Sequence, residues 1–254
     1  AQLMLADLLG LSRGRLLAED GRRLAPHEET AYRKRLTRRA AREPVAYITG
    51  RREFWKDSFR VTPAVLIPRP ETEHLVEAAS KFFPTATRLL DIGTGSGCLV
   101  LSLLHELPLL VEAVACDISP EALAVAEENA ATIFPGESRL RFVRSDMYEN
   151  VAEQFDLIVS NPPYVTEAEY AALEPNVRDN EPRLALVAGP EGLDCYRRII
   201  AGAGAHLAPG GGLILEVSDA TAEKTASLAG EAGLAVLALL PDLAGHQRVL
   251  VLQA

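Results

Sequence analysis

A chain of 254 residues, 48% hydrophobic and 24% charged, has the composition of a globular protein with one large domain or two modest ones. Its longest apolar runs, at residues 99–104 and 234–240, are much shorter than the roughly 20 residues of a membrane-spanning helix, and its first residues lack the basic start of a signal peptide. The three cysteines and five histidines have neither redox nor metal-ligand spacing, which argues against a disulfide framework and a metal site. We therefore expect a cytoplasmic protein with reduced cysteines, no metal and no membrane association.

The charge is distributed unevenly along the chain. Residues 1–60 carry 14 Lys and Arg against 8 Asp and Glu, whereas residues 61–254 carry 12 against 27, so the net charges are +6 and −15. The basic segment either meets a nucleic acid or an acidic protein, or is the solvated face of an arginine-rich helix. The acidic body argues against binding to duplex DNA, because neutralisation of phosphates dominates that affinity.

The first 42 residues have the pattern of helices. Leucines from Leu3 to Leu11 precede a break at Gly14. Residues 26–42 start with a proline and carry arginines on their polar side, as expected of a second amphipathic helix. We expect a small helical domain over residues 1–52.

A β-hairpin is predicted after these helices. Phe54-Trp55 and Phe59-Arg60-Val61 flank the polar tripeptide Lys56-Asp57-Ser58, and the second strand is expected to continue toward Val65-Leu66-Ile67. Prolines punctuate this zone, so residues 53–70 are interpreted as a linker between two domains.

From residue 71 to 254, apolar runs alternate with helical segments. This alternation predicts βαβ units and a mostly parallel seven-stranded sheet with helices on both faces. The last two strands are separated only by residues 241–247, too short for a crossover, so the final strand is expected to run antiparallel. Six parallel strands and one antiparallel strand form the Rossmann-like α/β architecture of class I methyltransferases. The predicted strands cover residues 88–92, 111–116, 140–143, 155–159, 213–217, 234–240 and 248–252. The predicted helices cover residues 71–83, 97–106, 120–131, 193–206 and 220–233.

A glycine-rich turn joins the first of these strands to a helix. The turn consists of Gly93, Thr94, Gly95, Ser96 and Gly97. Its glycines permit close approach of a ligand and positive φ. Asp117 ends the next apolar run, twenty residues after the turn, where an acidic side chain accepts hydrogen bonds from ribose hydroxyls. These features fit a dinucleotide or S-adenosyl-L-methionine, but the G-x-G-x-G spacing differs from the dinucleotide fingerprint G-x-G-x-x-G and favours S-adenosyl-L-methionine.

Arg144-Ser145-Asp146-Met147 follows the third strand. Asp146 is suited to hydrogen-bond an adenine amino group and Met147 to pack on the ring. In the alternative interpretation Asp146 caps a turn and Met147 fills the core. Three consecutive strand ends that offer a glycine turn and two acids favour an adenosine-type ligand.

Asn161-Pro162-Pro163-Tyr164 follows the apolar run at residues 155–160. Two prolines cannot continue a strand, because neither donates an N–H to the ladder. The chain must form a stiff loop at the carboxyl end of a strand, which is where ligands bind in open α/β sheets. A side-chain amide oxygen, a backbone carbonyl and an aromatic ring in this loop suit a planar amide or an exocyclic amine. The alternative for Asn161 is a turn-former before proline.

Together these residues resemble the HemK-type protein-(glutamine) methyltransferases, which methylate the Gln of the Gly-Gly-Gln loop of peptide-chain release factors. The Pro68–Glu73 sequence Pro-Arg-Pro-Glu-Thr-Glu is more specific for this family than Asn-Pro-Pro-Tyr, which adenine and cytosine amino-methyltransferases share. The matching segments span residues 44–50, 53–55, 66–73, 93–97, 161–164, 181–182, 185–186 and 192–193.

The resemblance implies a role for each matching segment. The turn at residues 93–97, Ser96 included, would contact S-adenosyl-L-methionine, as would Asn161. Asp117 would bind the ribose, and Asp146 with Met147 the adenine; the product would be S-adenosyl-L-homocysteine. Residues 161–164 would hold the substrate glutamine. Our hypothesis is that the Asn161 oxygen and the Pro162 carbonyl accept its two amide N–H bonds, with Pro163 alongside, while Tyr164 packs on the amide plane.

Arg69, Glu71 and Thr72 would line the substrate entrance in this family. Alternatively they form an interdomain hinge in which Thr72 or Glu71 caps the following helix.

Family members usually carry about one more N-terminal helix, and this chain does not start with Met, so part of the release-factor-binding domain is expected to be missing. Glu216-Val217-Ser218 stands where the family has Glu-Ile-Gly, which weakens any role for Ser218.

Two other classes of function compete with this interpretation. A nucleic-acid amino-methyltransferase would flip a base against Tyr164 and predicts a basic groove that the acidic body does not supply. A regulatory module that only binds S-adenosyl-L-methionine predicts a degraded loop, whereas residues 161–164 are complete. We therefore predict an enzyme, monomeric and without direct DNA binding, that methylates the side-chain amide of a release-factor glutamine.

Overall fold

The structure is a computed structural model that describes residues 1–19 and 21–254. Its N-terminal helices are α1 (Gln2–Leu9), α2 (Arg13–Ala18), α3 (Pro26–Ala40) and α4 (Val45–Thr49). The predicted break at Gly14 is wrong: the first helix ends at Gly10, whose φ of 64° is the left-handed conformation that glycine adopts without strain. Gly14 lies in the first turn of α2, which starts because the Ser12 side chain accepts the Arg15 N–H.

Asp7 ties these helices to the rest of the chain. Its carboxylate accepts a hydrogen bond from Arg35 on α3 at 2.7 Å and pairs with Arg51, the first residue of the hairpin. Met4 and Ala6 on the same helix are buried. The helices therefore pack as one unit that is fastened by charge to the segment that follows.

The predicted hairpin is confirmed as strands β1 (Arg51–Phe54) and β2 (Asp57–Arg60), which pair antiparallel. Its extension toward Val65-Leu66-Ile67 is wrong, because the flanking prolines prevent continued strand pairing and these residues form a loop. Asn129 accepts the Arg60 N–H at 2.7 Å and donates to the Arg60 carbonyl at 3.0 Å. The hairpin is thus docked on the main domain.

The main sheet has seven strands in the spatial order β5-β4-β3-β6-β7-β9-β8. The strands are β3 (Arg88–Ile92), β4 (Glu112–Asp117), β5 (Leu140–Arg144), β6 (Phe155–Ser160), β7 (Leu207–Glu216), β8 (Ala235–Pro241) and β9 (Gln247–Gln253). The helices are α5 (Glu73–Phe82), α6 (Cys98–Glu106), α7 (Pro120–Ile133), α8 (Glu167–Ala172), α9 (Pro175–Arg178), α10 (Asp194–His206) and α11 (Ala222–Glu231). As predicted, β9 runs antiparallel to both of its neighbours, and the class I methyltransferase fold is confirmed. Helices α8 and α9 are short and were not predicted.

The sheet is buried on both faces, which explains the unbroken apolar runs of its strands. Leu89 and Leu157 belong to the cluster that packs on α5 and α6. Leu90 and Ile158, the next residues along the same strands, belong to the cluster that packs on α10 and α11. Full burial of each such side chain contributes about 1.5–3 kcal/mol to folding.

Strand register brings the predicted site residues to one edge of the sheet. Ile92 at the end of β3 pairs with Cys116 on one side and with Ser160 on the other, and Ser160 pairs with Leu215. Asp117 at the end of β4 and Asn161 after β6 therefore lie on either side of the glycine-rich turn that follows β3. None of the helices described for residues 1–19 and 21–254 combines the length and the apolar character needed to cross a bilayer.

Candidate active site

A cavity of about 290 Å³ opens at the carboxyl edge of the parallel strands. The predicted site residues that line it are Arg69, Thr72, Gly93, Thr94, Gly95, Ser96, Asp117, Asp146, Met147, Asn161, Pro162 and Pro163. Gly97 and Tyr164 are not part of the lining. The topology thus brings residues from five separate chain segments to one site.

The glycine-rich turn exposes its backbone to this cavity. Gly93 and Gly95 have φ of 72° and 56°, and a Cβ at Gly93 would point into open space. Gly97 has φ of 80° and a different role: a Cβ there would lie 3.3 Å from the Ala126 side chain on α7. Gly97 therefore allows α6, which begins at the next residue, to lie close to α7. The positive φ of Gly93 and Gly95 shapes the turn itself.

Asp117 braces the turn and faces the cavity. Its carboxylate accepts the N–H groups of Gly95 and Ser119, each at 3.0 Å. Burial raises the pKa of Asp117, although these backbone hydrogen bonds oppose the rise. The adjacent Ile118 has 41% of its surface exposed and also lines the cavity. The cavity wall therefore offers a carboxylate, from Asp117, beside an apolar side chain, from Ile118.

Asp91 lies beneath the turn and has no exposed surface. It accepts a hydrogen bond from the Thr94 hydroxyl at 2.7 Å. Burial raises the pKa of Asp91 to about 7. This carboxyl fixes the conformation of the turn from below.

Asp146 forms an ion pair with Arg198 of α10 at 2.9 Å, and both residues line the cavity. Met147 has a positive φ of 54°, and its carbonyl accepts the Ser145 hydroxyl at 2.7 Å. Met147 packs against the core and also lines the cavity, and its contact with an adenine ring stays a prediction. Arg198 was missed because a single arginine on a helix carries no sequence signal.

A buried chain of hydrogen bonds holds the loop at residues 161–164. Asn161 Nδ2 donates to Thr72 Oγ1 at 3.1 Å, and Thr72 Oγ1 donates to Glu216 Oε2 at 2.6 Å. Thr72 and Glu216 are 2% and 1% exposed. Thr72 provides no side-chain cap to α5, so its hydroxyl serves Asn161 instead.

Tyr164 completes this chain from the other side. Its hydroxyl donates to Glu216 Oε1 at 3.3 Å, and the residue lines a neighbouring cavity with Ser218 and Thr221. A Cβ at Gly192 would lie 2.3 Å from the Tyr164 carbonyl oxygen. Tyr164 is thus an anchor of the loop, and its ring lies outside the main cavity.

A further buried acid, Glu181, holds the segment before α5. Glu181, whose side chain is 1% exposed, pairs with Arg69 at 2.6 Å and accepts the Ile67 N–H at 3.1 Å. Arg69 stands at the cavity with its charge compensated. Glu181 was recognised only as part of a matching segment.

Comparison with known proteins finds relatives over nearly the whole chain. The release factor glutamine methyltransferase of Cereibacter sphaeroides is 48% identical over 98% of this chain and 88% of its own length. That of Koribacter versatilis is 40% identical over 99% of this chain and 89% of its own length. This chain belongs to the release factor glutamine methyltransferase family.

Family models and solved structures agree with this assignment. Residues 1–50 match the PrmC N-terminal domain, and residues 71–184 match the methyltransferase small domain. The crystal structure of a methyltransferase from Pyrococcus furiosus superposes with a TM-score of 0.59 at 17% identity, over 87% of this chain and 98% of that one, which shows the same fold. The resemblance inferred from the sequence is therefore confirmed. The contact between Glu216 and Thr72 was not predicted from the sequence.

Within the described ranges, no group of three or more His, Cys, Asp or Glu side chains is arranged to hold a metal ion. The polar side chains that line the cavity are instead amides, carboxylates, hydroxyls and two arginines, Arg69 and Arg198, each of which is paired with a carboxylate. Such a set is suited to bind and orient a ligand through hydrogen bonds.

Proposed function

We propose that this protein transfers a methyl group from S-adenosyl-L-methionine to the side-chain amide nitrogen of the glutamine in the Gly-Gly-Gln loop of peptide-chain release factors. The observation that carries the proposal is the orientation of Asn161, whose nitrogen is engaged by Thr72 at 3.1 Å while its side chain lines the cavity beside the glycine turn. An oriented amide acceptor beside an adenosine-type site is what this reaction requires.

The cavity fits S-adenosyl-L-methionine. The open backbone at Gly93 would allow close approach of its methionine part. Asp117 offers a fixed carboxylate for ribose hydroxyls, and Ile118 and Met147 offer apolar surface to the adenine. When bound, this cofactor supplies a methyl group on a sulfonium sulfur, and transfer leaves S-adenosyl-L-homocysteine, with the electron pair of the broken bond on sulfur.

Asn161 and Pro162 would orient the substrate amide. An amide nitrogen is a weak nucleophile because its lone pair is delocalised into the carbonyl. The Asn161 oxygen and the Pro162 carbonyl can accept its two N–H bonds, which aims the nitrogen and stabilises positive charge that develops on it. Near-attack placement of two reactants can supply about 7–11 kcal/mol of the lowering of the barrier. The nitrogen then releases one proton to water.

The charges at the cavity favour a protein substrate over a nucleic acid. Arg69 and Arg198 both line the cavity, and both are paired with carboxylates, at 2.6 and 2.9 Å. Neither supplies a free cation for a phosphate, and residues 61–254 have a net charge of −15. Binding of a nucleic acid would require phosphate neutralisation that this surface does not provide.

The proposal is tested with methyl-labelled S-adenosyl-L-methionine and three acceptors in separate reactions. The acceptors are an intact release factor, the same release factor with the Gly-Gly-Gln glutamine replaced by asparagine, and duplex DNA. We expect label only on the intact release factor, and no slowing of that reaction when the DNA is added to it. Label on DNA and none on the release factor would contradict the proposal.

A further inference from the structure

We propose that Glu216 and Thr72 are positioning residues, which hold the Asn161 amide with its nitrogen toward Thr72 and its oxygen toward the substrate. The role assigned to that oxygen rests on the proposed function. The orientation of the amide itself is a property of this chain alone. Glu216 and Thr72 act through Asn161 and do not themselves touch the reacting atoms.

The three side chains form one continuous, buried sequence of hydrogen bonds. Thr72 lies between the other two, 3.1 Å from Asn161 Nδ2 and 2.6 Å from Glu216 Oε2. Thr72 and Glu216 are almost fully buried, so water does not compete with their hydrogen bonds. The three residues come from the start of α5, the end of β6 and the end of β7, which the sheet brings together.

The direction of the hydrogen bonds follows from the chemistry of the end group. An ionised carboxylate only accepts hydrogen bonds, so Glu216 requires the Thr72 hydroxyl proton. The Thr72 oxygen is then left with lone pairs alone and requires a donor from Asn161. The NH₂ group of Asn161 satisfies this requirement. If the amide were flipped, its oxygen would face the Thr72 oxygen, and two acceptors would meet with no proton between them. The charge on Glu216 therefore determines which end of the Asn161 amide faces the cavity.

Several groups act on the charge of Glu216. Burial raises its pKa, whereas the hydrogen bonds from Thr72 and Tyr164 and the positive charge of Arg248 favour ionisation. Arg248 is itself paired with Asp242 at 3.0 Å. The titratable and charged groups that face Glu216 are Glu71, Cys98, Tyr164, Tyr196 and Arg248.

Protonation of Glu216 removes the constraint. A neutral carboxyl can donate to Thr72, whose hydroxyl proton is then free to point at the Asn161 oxygen. The amide loses its preferred direction, and the acceptor for the substrate is lost. The methylation rate is therefore expected to fall at acidic pH, with a midpoint above the roughly 4.3 of an ordinary glutamate.

Kinetics of two matched threonine variants separate positioning from folding. Thr72→Val removes the hydroxyl between Asn161 and Glu216. Thr225→Val removes an equally buried hydroxyl that donates to the Thr221 carbonyl at 2.8 Å in α11. We expect Thr72→Val to lower kcat by up to about 100-fold, the loss expected when a preorganised polar group itself is removed, with unchanged affinity for S-adenosyl-L-methionine. Thr72→Ser should recover most of kcat, and Thr225→Val should leave it unchanged.

Equal kcat in Thr72→Val and wild type, or no recovery in Thr72→Ser, would overturn the proposal.

Nitrogen-15 NMR of the Asn161 side-chain amide tests the orientation without any reaction. In the protein alone, its NH₂ resonances are expected to shift with pH at the midpoint of Glu216. The shift should be absent in Glu216→Gln and in Thr72→Val, and present in Thr225→Val. An identical titration in Glu216→Gln would overturn the proposal. Because this readout needs no substrate, failure to methylate release factors would count against the proposed function and not against the positioning role.

Discussion

The side chain of Asn161 uses its nitrogen to bind Thr72 at 3.1 Å and leaves its oxygen for a ligand. Glu216 imposes this direction from the far end of the chain of hydrogen bonds, at 2.6 Å from Thr72. Asparagine is common in turns, but here the hydrogen bonds hold its side-chain amide in one orientation. At the residue scale, the site depends on which atom of each polar group is already engaged.

Asn161→Ala is expected to lower the methylation rate by about 100-fold or more, because a preorganised polar contact to the transition state is lost. Binding of S-adenosyl-L-methionine, measured by calorimetry, should change little, since the glycine turn and Asp117 are untouched. A loss of rate below tenfold with intact cofactor binding would contradict the catalytic role of Asn161.

The buried carboxyl of Asp91 should make stability depend on pH. The pKa of Asp91 is raised by burial to about 7, against about 3.9 for an unfolded aspartate, so the folded state holds the proton more tightly. The folding stability present below about pH 4 is therefore lost progressively as pH rises to about 7. Asp91→Asn does not titrate, and its free energy of unfolding relative to wild type should increase from pH 5 to pH 8 in urea unfolding.

Asp156→Asn is the matched control for this measurement. Burial opposes ionisation of Asp156, but the hydrogen bonds from Thr87 and Arg88 together with the charge of Arg88 outweigh it, so the pKa of Asp156 is lowered. Its contribution to stability is therefore complete above about pH 4 and lost only at lower pH. Its effect on unfolding should be constant between pH 5 and pH 8. A parallel pH trend in both variants would show that Asp91 is not the group responsible.

Sequence reasoning found the residues of the site but not the contacts between them. Asn161, Asp117 and the glycines each stand at a strand end, which the apolar periodicity reveals. Thr72 and Glu216 are 144 positions apart, and no local pattern shows that they touch. The prediction that Tyr164 lies on the substrate amide came from the aromatic ring in the loop as well as from the resemblance. Its hydroxyl contact with Glu216 at 3.3 Å carries no local signal, because it depends on the three-dimensional path of β7.

At the scale of elements, Asn129 on α7 joins the hairpin to the glycine turn. Its amide group exchanges two hydrogen bonds with the Arg60 backbone and donates to the Ser96 carbonyl at 2.8 Å. The side chain is 3% exposed. One residue thus couples the N-terminal segment to the loop that contacts the cofactor in our proposal.

Asn129→Ala should lower the free energy of unfolding by about 2 kcal/mol or more, because buried backbone groups of Arg60 and Ser96 lose their partners. Affinity for S-adenosyl-L-methionine should fall as well, since the turn loses a support. Thr132→Ala, an exposed position on the same helix, should stay within about 0.5 kcal/mol of wild type. Equal effects of the two changes in urea unfolding would contradict the coupling.

Gly192 is expected to be intolerant of a side chain for two reasons. Its φ is +70°, and a Cβ would lie 2.3 Å from the Tyr164 carbonyl oxygen. Gly136 has φ of +80° with no atom nearby, so Gly136→Ala should cost only about 1–2 kcal/mol of conformational strain. Gly192→Ala should cost at least about 1 kcal/mol more and also lower activity, by moving the loop that holds Asn161. Equal unfolding free energies would contradict the close approach.

The elements themselves were largely predictable because both faces of the sheet are apolar. Every strand of the main domain coincides with a predicted run, although β7 starts at Leu207 and not at residue 213. The predictions of secondary structure were wrong where two sequence signals favoured different structures. Gly10 and Gly14 are equally plausible helix ends by composition, and Ser12 decides between them by capping α2. Residues 65–67 are apolar and β-branched in part, but the adjacent prolines keep them out of any sheet.

At the scale of the whole molecule, ion pairs compensate part of the positive charge of the basic N-terminal region, residues 1–60. Asp7 binds Arg35 and Arg51 in the basic N-terminal region, and several other arginines there pair with acids of the same region, such as Arg22 with Glu28. Much of the positive charge is therefore compensated locally. Such a surface suits a protein partner more than the continuous phosphate backbone of a nucleic acid.

The most direct test of the account is to locate the methyl group on the acceptor. A release factor is incubated with this protein and S-adenosyl-L-methionine, digested, and analysed by fragment mass spectrometry. The account predicts one added methyl group on the side chain of the Gly-Gly-Gln glutamine, and at least about 100-fold slower appearance with Asn161→Ala. Consumption of the cofactor with an unmodified glutamine, or a methyl group on any other residue, would contradict it.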